Sequence, residues 1–275
     1  MKLLTLNTHS HIEENYPLKL KNFVMAIAEE QPDVIALQEV NQSISSPVIP
    51  SGMLMDFTPC GSFSVKEDNH AYNAAKMLEK MGIRYYWTWL GIKEGYGKYE
   101  EGIALLSRDK ISETHMLTVS VTDNRKNWKT RKIAGIYTCG QWFYSVHLGW
   151  WDDKDEPFCE QWKKLSEHLR KKDMVWLMGD FNSPAGVRGE GYDMMRNDGW
   201  YDSFVLASEK DSGITVPKSI DGWENGVSGN GMRIDYIWSS RKAEISSSEV
   251  IFNGRNYPVV SDHYGIIIKT KDWYK

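Results

Sequence analysis

The 275-residue chain carries 33 Lys and Arg against 37 Asp and Glu, a net charge of −4, and 25% of its residues are charged. It is long enough for one large domain or two small ones, too apolar for a disordered chain, and not basic enough overall for a general polyanion binder. The apolar run at residues 3–6 is too short for a signal-peptide core, no segment is long and apolar enough to span a bilayer, and Cys60, Cys139 and Cys159 lack metal-type spacing, so a cytoplasmic protein with free thiols and no membrane partner is expected.

In chain order, a strand at residues 3–6 ends at Asn7, and a helix opens near Pro17. Leu20, Phe23, Val24 and Ile27 give that helix one apolar face, and Gln31-Pro32 closes it. A strand at 34–38 stops at Glu39, and a loop rich in Ser and Pro follows over 43–59. Ala71, Ala74, Ala75 and Leu78 mark a second helix, stopped by Gly82. Strand-like runs then occupy 85–90, 103–106, 115–121, 133–138 and 142–148. A third helix enters at Pro157 and carries Phe158, Trp162, Leu165 and Leu169, and the last strands fall at 174–178, 234–238, 249–252 and 264–268. With no repeat and no linker, residues 1–275 read as one domain, with two sheets packed face to face and helices outside.

Several of these runs end in groups that bind metals or move protons. Gly179-Asp180-Phe181-Asn182 follows one apolar run, and Ser261-Asp262-His263 precedes another. Singly, each has an ordinary reading: Asp-x-Asn is a common turn device, His147 suits a satisfied core histidine, and Glu39 or Asn7 could simply close a strand. Together they supply carboxylate and amide oxygens with no cysteine cluster, a set that favours Mg²⁺ or Mn²⁺ over Zn²⁺. Two histidines and a spare Asp remain for proton transfer and charge stabilisation. A metal-dependent hydrolase is expected.

The series Leu6-Asn7, Gln38-Glu39-Val40, Val146-His147-Leu148, Gly179-Asp180-Phe181-Asn182, Arg233-Ile234-Asp235-Tyr236-Ile237 and Ser261-Asp262-His263 resembles the endonuclease/exonuclease/phosphatase superfamily in order and approximate separation. Residues 101–108 look like its central strand. The resemblance implies an α/β fold, a four-layer α/β/β/α sandwich of two mixed sheets (DNase I-like), with the site at one end of the sheets. It also implies roles. Glu39 would be the principal metal ligand, with Asn7 beside it and Asp262 near the metal or its water. Asp180 would be the general base, Asn182 would hold the water or a phosphoryl oxygen, and His263, oriented by Asp235, would stabilise charge on phosphorus. His147 would bond the phosphate or assist the leaving group, and Arg131, which precedes the strand at 133–138, reads as a further phosphate contact or as a solvated surface Arg.

Fold does not settle substrate within that superfamily. Val146-His147-Leu148 stands where the abasic-site endonucleases carry an Asn near Tyr and Pro, which argues against the DNA-repair branch. Residues 124–132 set basic side chains around Trp128 and could grip a nucleic acid strand or form a solvated hairpin loop. Of the 12 tryptophans, Trp162, Trp176 and Trp238 fall in periodic elements and read as core. Trp150 and Trp151 leave the His147 strand and could offer flat faces to a sugar ring, with Trp223 closing the opposite wall. Asn7-Thr8-His9-Ser10 and the string His147 to Trp151 resemble the bacterial maltose-6′-phosphate phosphatases of the superfamily. The reading is a Mg²⁺-dependent phosphomonoesterase of a small phosphorylated sugar, maltose 6′-phosphate or a similar disaccharide phosphate. The alternatives are a nuclease of the same fold and a non-catalytic binding protein, whose signature would be loss of Glu39 or Asp180. No motif speaks to oligomeric state.

Overall fold

Apolar side chains alternate between the two faces of each central strand, and both faces are covered. This is why the strands read as nearly continuous apolar runs. A computed structural model describes residues 1–220, 223 and 231–271. In chain order its strands are β1 (Lys2–Asn7), β2 (Val34–Ser43), β3 (Tyr86–Gly95), β4 (Tyr99–Ser107), β5 (Glu113–Thr118), β6 (Lys132–Thr138), β7 (Gln141–His147), β8 (Val175–Asp180), β9 (Tyr201–Asp202), β10 (Glu209–Lys210), β11 (Asp235–Ser239), β12 (Ile245–Ile251) and β13 (Gly265–Thr270). The helices are α1 (Tyr16–Glu30), α2 (His70–Lys80), α3 (Phe158–Leu169), α4 (Gly191–Asn197) and α5 (Ser203–Leu206).

Seven strands form one mixed sheet in the order β10-β12-β13-β1-β2-β4-β3, and six form the other in the order β5-β6-β7-β8-β11-β9. On β1 and β2, Leu4, Leu6, Ile35 and Leu37 point outward to Phe23 and Ile27 of α1 and to Ala71 and Leu78 of α2. Leu3, Val34 and Ala36 face the second sheet, where Phe143, Trp176 and Met178 meet them. Val175 and Leu177 of β8 point away from that layer, onto Phe158, Trp162 and Leu165 of α3. The layers are therefore helix, sheet, sheet, helix, as expected. Truncating one of these buried Leu or Ile side chains would cost about 2–5 kcal/mol.

The three long helices fall where the apolar spacing put them, and α3 matches the expected face. Glu160, Lys163, Lys164 and Glu167 are exposed on its outer side. The short α4 and α5 have no counterpart in the sequence reading, because helices this short carry too few apolar repeats to show a period. Strand β2 is a correction. It does not stop at Glu39 but runs ten residues to Ser43, through a break in register.

Between the sheets the packing turns polar toward one end. Gln38 Nε2 donates to Ser145 Oγ at 2.9 Å, and Ser145 Oγ donates to the Leu37 carbonyl at 2.9 Å. Gly179 is required there: its φ is +151°, and a Cβ would lie 1.9 Å from the Val146 carbonyl oxygen of the neighbouring strand β7 and 3.0 Å from Gln38 Nε2 of the other sheet. Only glycine fits that position.

Candidate active site

Strand direction gathers the candidate residues. β1 runs parallel to β2, and β7 parallel to β8, so Asn7, Glu39, His147 and Asp180 lie toward the same ends of their sheets. β11 is antiparallel to β8 and β13 to β1. Asp235, which opens β11, and His263, just before β13, are therefore delivered to that end from the opposite direction. Asn7 joins the two sheets: its Nδ2 donates to Glu39 Oε1 at 2.9 Å and lies 3.2 Å from Asp180 Oδ2.

Glu39 reaches the site through a bulge. Leu37 pairs with Ala104 and Val40 with Gly102, so Gln38 and Glu39 together oppose one residue of β4. Glu39 takes φ 51°, an uncommon conformation for a side chain of this kind. Thr8 Oγ1 and Ser10 Oγ hold its carbonyl at 3.1 and 2.7 Å.

Asp180 is the hub. It lies beside His147 in the parallel ladder and opposite Asp235 in the antiparallel one. Its Oδ2 is 3.6 Å from His147 Nε2 and 3.8 Å from His263 Nε2, and its Oδ1 accepts the Asn182 backbone N–H at 2.9 Å. His263 Nδ1 lies 2.9 Å from Asp235 Oδ2. Asn182 takes φ 46° and uses its Nδ2 on the Leu148 carbonyl at 2.9 Å, while its Oδ1 accepts Trp223 Nε1 at 3.0 Å.

Electrostatics separates the two histidines. Burial, with Arg131 and Lys93 nearby, holds His147 well below the ordinary imidazole range, so it stays neutral. Burial also works against a charge on His263, but Asp235 and Asp180 outweigh it and hold His263 well above that range. Burial and the Asp235 charge push the Asp180 carboxyl up to about 7. In the pair, the proton resides on His263 and Asp180 is left to accept another.

Glu39, His147, Asp180, Asn182 and His263 line a cleft of about 360 Å³ whose walls include Trp150, Trp128, Lys93 and Arg131. Trp151 and Trp223 do not line it. They line an adjoining cleft of about 780 Å³, and Trp150 belongs to both. The three indoles grouped by the sequence thus share this adjoining cleft, and of them Trp150 also lines the catalytic one. Trp151 packs on Phe158 beneath the neighbouring surface, with ring centroids 6.2 Å apart. Arg131 is nearly buried, and its Nη1 donates to the Trp128 carbonyl at 3.1 Å.

The model of the endonuclease/exonuclease/phosphatase family matches residues 4–263, nearly the whole chain. The chain belongs to the endonuclease/exonuclease/phosphatase family. It is accordingly a metal-dependent hydrolytic phosphoesterase. A solved family protein from Leptotrichia buccalis is 34% identical over 99% of this chain and 100% of its own, with a TM-score of 0.86. A mannosyl-6-phosphatase from Bacteroides thetaiotaomicron shares the fold at 15% identity, covering 99% of this chain and 100% of its own, with a TM-score of 0.65. So does a 3′ phosphatase from Neisseria bound to a product DNA hairpin, at 18% identity, the same coverage of 99% and 100%, and a TM-score of 0.64. A comparison with curated proteins finds no match.

The family's divalent metal suits the donors present. Burial, Glu101 and Asp262 hold the Glu39 carboxyl above its ordinary range, an excess of negative charge that a cation would relieve. Glu39 and Asp262 offer carboxylate oxygens, which a hard cation prefers, while Asn7 turns its Nδ2 toward Glu39. Sequence reasoning missed several residues of this end. His9, in a left-handed conformation, lies 2.8 Å from Glu13 Oε1 and 3.7 Å from Asp262 Oδ1. Although burial opposes its charge, Glu13 and Asp262 hold it at about 9. Glu13 also accepts the Asp262 backbone N–H at 2.9 Å and pairs with Lys19. The string Asn7-Thr8-His9-Ser10 was a signal for His9. Lys93 and Glu101, 3.2 Å apart, left none, because their pairing depends on how β3 and β4 register.

Proposed function

We propose that this phosphoesterase is a Mg²⁺-dependent phosphomonoesterase acting on a phosphorylated sugar, with maltose 6′-phosphate or a similar disaccharide phosphate as substrate. The observation that carries the reading is the cleft itself. Asp180 and His263 line a cleft of about 360 Å³ walled by indoles, within the ~300–1,000 Å³ usual for small-molecule sites, with Asp235 buried behind His263. The adjoining cleft, which shares Trp150, offers room for a second ring between Trp151 and Trp223. The mannosyl-6-phosphatase neighbour is consistent with a sugar ester, although its likeness rests on fold.

In this reading Glu39, with Asn7 and Asp262 near it, would hold the metal, which when bound would supply positive charge to the phosphoryl group. Asp180 accepts a proton from the attacking water as the new P–O bond forms and the ester P–O bond breaks, and the departing sugar oxygen takes a proton from solvent to leave as the alcohol. Asn182 positions that water or a phosphoryl oxygen. His263, charged and fixed by Asp235, meets the charge that grows on phosphorus. The neutral His147 serves as a hydrogen-bonding partner of the phosphoryl group, not as an imidazolium acid. Arg131 contributes a further positive charge. Three free cysteines support a cytoplasmic setting.

The nuclease alternative rests on the basic stretch around Trp128, and its cations are largely spoken for. Arg125 pairs with Glu94 and Glu100, Lys129 with Asp153 and Asp155, and Lys132 with Asp123. Paired cations offer a phosphate backbone little counterion release. The test is turnover of phosphorylated sugars against cleavage of plasmid and single-stranded DNA, both with Mg²⁺. Release of phosphate from a sugar ester with DNA left intact supports the reading, and DNA cleavage with sugar esters untouched overturns it.

A further inference from the structure

Trp128 sits just before β6 with 56% of its surface exposed, yet its main chain is tightly braced. Its carbonyl oxygen accepts from Lys93 Nζ at 2.7 Å and from Arg131 Nη1 at 3.1 Å. Both cations are buried, at 6% and 3% exposure. Lys93 is anchored in turn to Glu101 Oε1 at 3.2 Å, and the next residue along, Lys129, reaches Asp153 and Asp155 at 2.9 and 2.7 Å. A large apolar side chain gains free energy by leaving water, so an indole held out on a braced turn is a surface kept available at a fixed place.

That place is the wall of the catalytic cleft. The Trp128 and Trp150 ring centroids are 5.9 Å apart with the planes inclined at 59°. The rings therefore form a corner and do not cover each other's faces. The Arg131 guanidinium lies 5.8 Å from the Trp150 centroid, and its Nε is buried without a partner. Positive charge and flat apolar surface meet at one point, the combination that recognises an anion carried on a ring.

We propose that Trp128, with Trp150, forms the corner that receives the ring esterified to the phosphate, making Trp128 a specificity-determining residue. The proposal rests on the sugar-phosphate reading above. The grip of Lys93 and Arg131 on the Trp128 carbonyl sets the spacing between that ring and the phosphoryl group. An amphipathic sugar suits the corner, because its C–H faces pack on indole while its hydroxyls remain free for Glu94 and Glu101 at the same wall.

The test compares the full-length enzyme with W128A and W128F, in Mg²⁺, on maltose 6′-phosphate, glucose 6-phosphate and the ringless glycerol 3-phosphate. W128A should raise KM for both sugar esters about five- to tenfold, and W128F should keep most of the wild-type value. KM and kcat for glycerol 3-phosphate should stay within about twofold, since that ester has no ring to lose a contact. Thermal melts check that the exposed substitution leaves the fold intact. Unchanged KM for the sugar esters, or an equal rise for the ringless ester, overturns the proposal while the sugar reading stands. Wild-type enzyme that shows no preference for sugar esters over glycerol 3-phosphate would overturn the sugar reading itself, and the ring corner with it.

Discussion

Asp180 and Asp235 stand directly opposite each other across the antiparallel strands β8 and β11, both essentially buried. Like charges so placed repel, and one ring answers the repulsion. His263 lies 2.9 Å from Asp235 Oδ2 and 3.8 Å from Asp180 Oδ2. Two carboxylates and one imidazolium make a group that should respond to mutation as a unit.

Asp180→Asn keeps the shape and should leave substrate affinity nearly intact, while kcat falls by roughly 10²–10⁴, the usual size of general-base catalysis. Asp235→Asn should behave as a weaker His263→Ala. The double variant should be little worse than His263→Ala alone, because the two residues act together. Steady-state kinetics on all four proteins reads this out. Full additivity would make Asp235 a residue of the fold, and normal kcat in Asp180→Asn would remove the base.

Glu39→Gln removes the charge that suits the carboxylate to a metal. It should lower turnover and weaken metal affinity, with partial recovery at high Mg²⁺. Titrating activity against Mg²⁺ and against a chelator gives both quantities, and full wild-type activity in excess chelator would sink the metal role.

Trp150 and Trp151 should separate by substrate length. Trp150 borders both clefts, so Trp150→Ala should raise KM for mono- and disaccharide phosphates alike. Trp151 borders only the adjoining cleft, so Trp151→Ala should raise KM for the disaccharide phosphate and spare the monosaccharide. Equal losses on both sugars for Trp151→Ala would make it a packing residue on Phe158.

His70 should make the fold acid-sensitive. Burial, with His11 nearby, depresses it from 6.5 to about 3, so the folded state keeps it neutral while the unfolded chain takes up a proton below about 6.5. The unfolded state then binds more protons, and stability falls as pH drops from about 6.5 toward 3, by at most ~1.4 kcal/mol per pH unit. Urea unfolding at several pH values should show that slope reduced in His70→Asn, whatever that variant costs at pH 7. An identical slope would place the acid sensitivity elsewhere.

Local sequence carried the parts of this protein that depend on neighbours in the chain. Apolar runs ended by Asn7, Asp180 and the Ser261-Asp262-His263 string were legible because a strand buried on both faces must change character where it leaves the core. The face of α3 was legible because Phe158, Trp162, Leu165 and Leu169 repeat at the helical period. What the chain brings together across long separations was not. Asp180 meets Asp235 only through the β8–β11 register, and Glu39 is aimed by a bulge that forms only against another strand, β4. Lys93 meets Glu101 only once β3 has paired with β4. Adjacent residues can also part company. Trp150 and Trp151 look alike as a pair in sequence, yet only Trp150 reaches the catalytic cleft, because the packing of Trp151 on Phe158 turns its ring toward the neighbouring surface. Residue types and their places at strand ends were enough to show which groups could hold a metal and move a proton. Which of them touch depends on register, bulges and the packing of one side chain on another, and these arise between segments far apart in the chain.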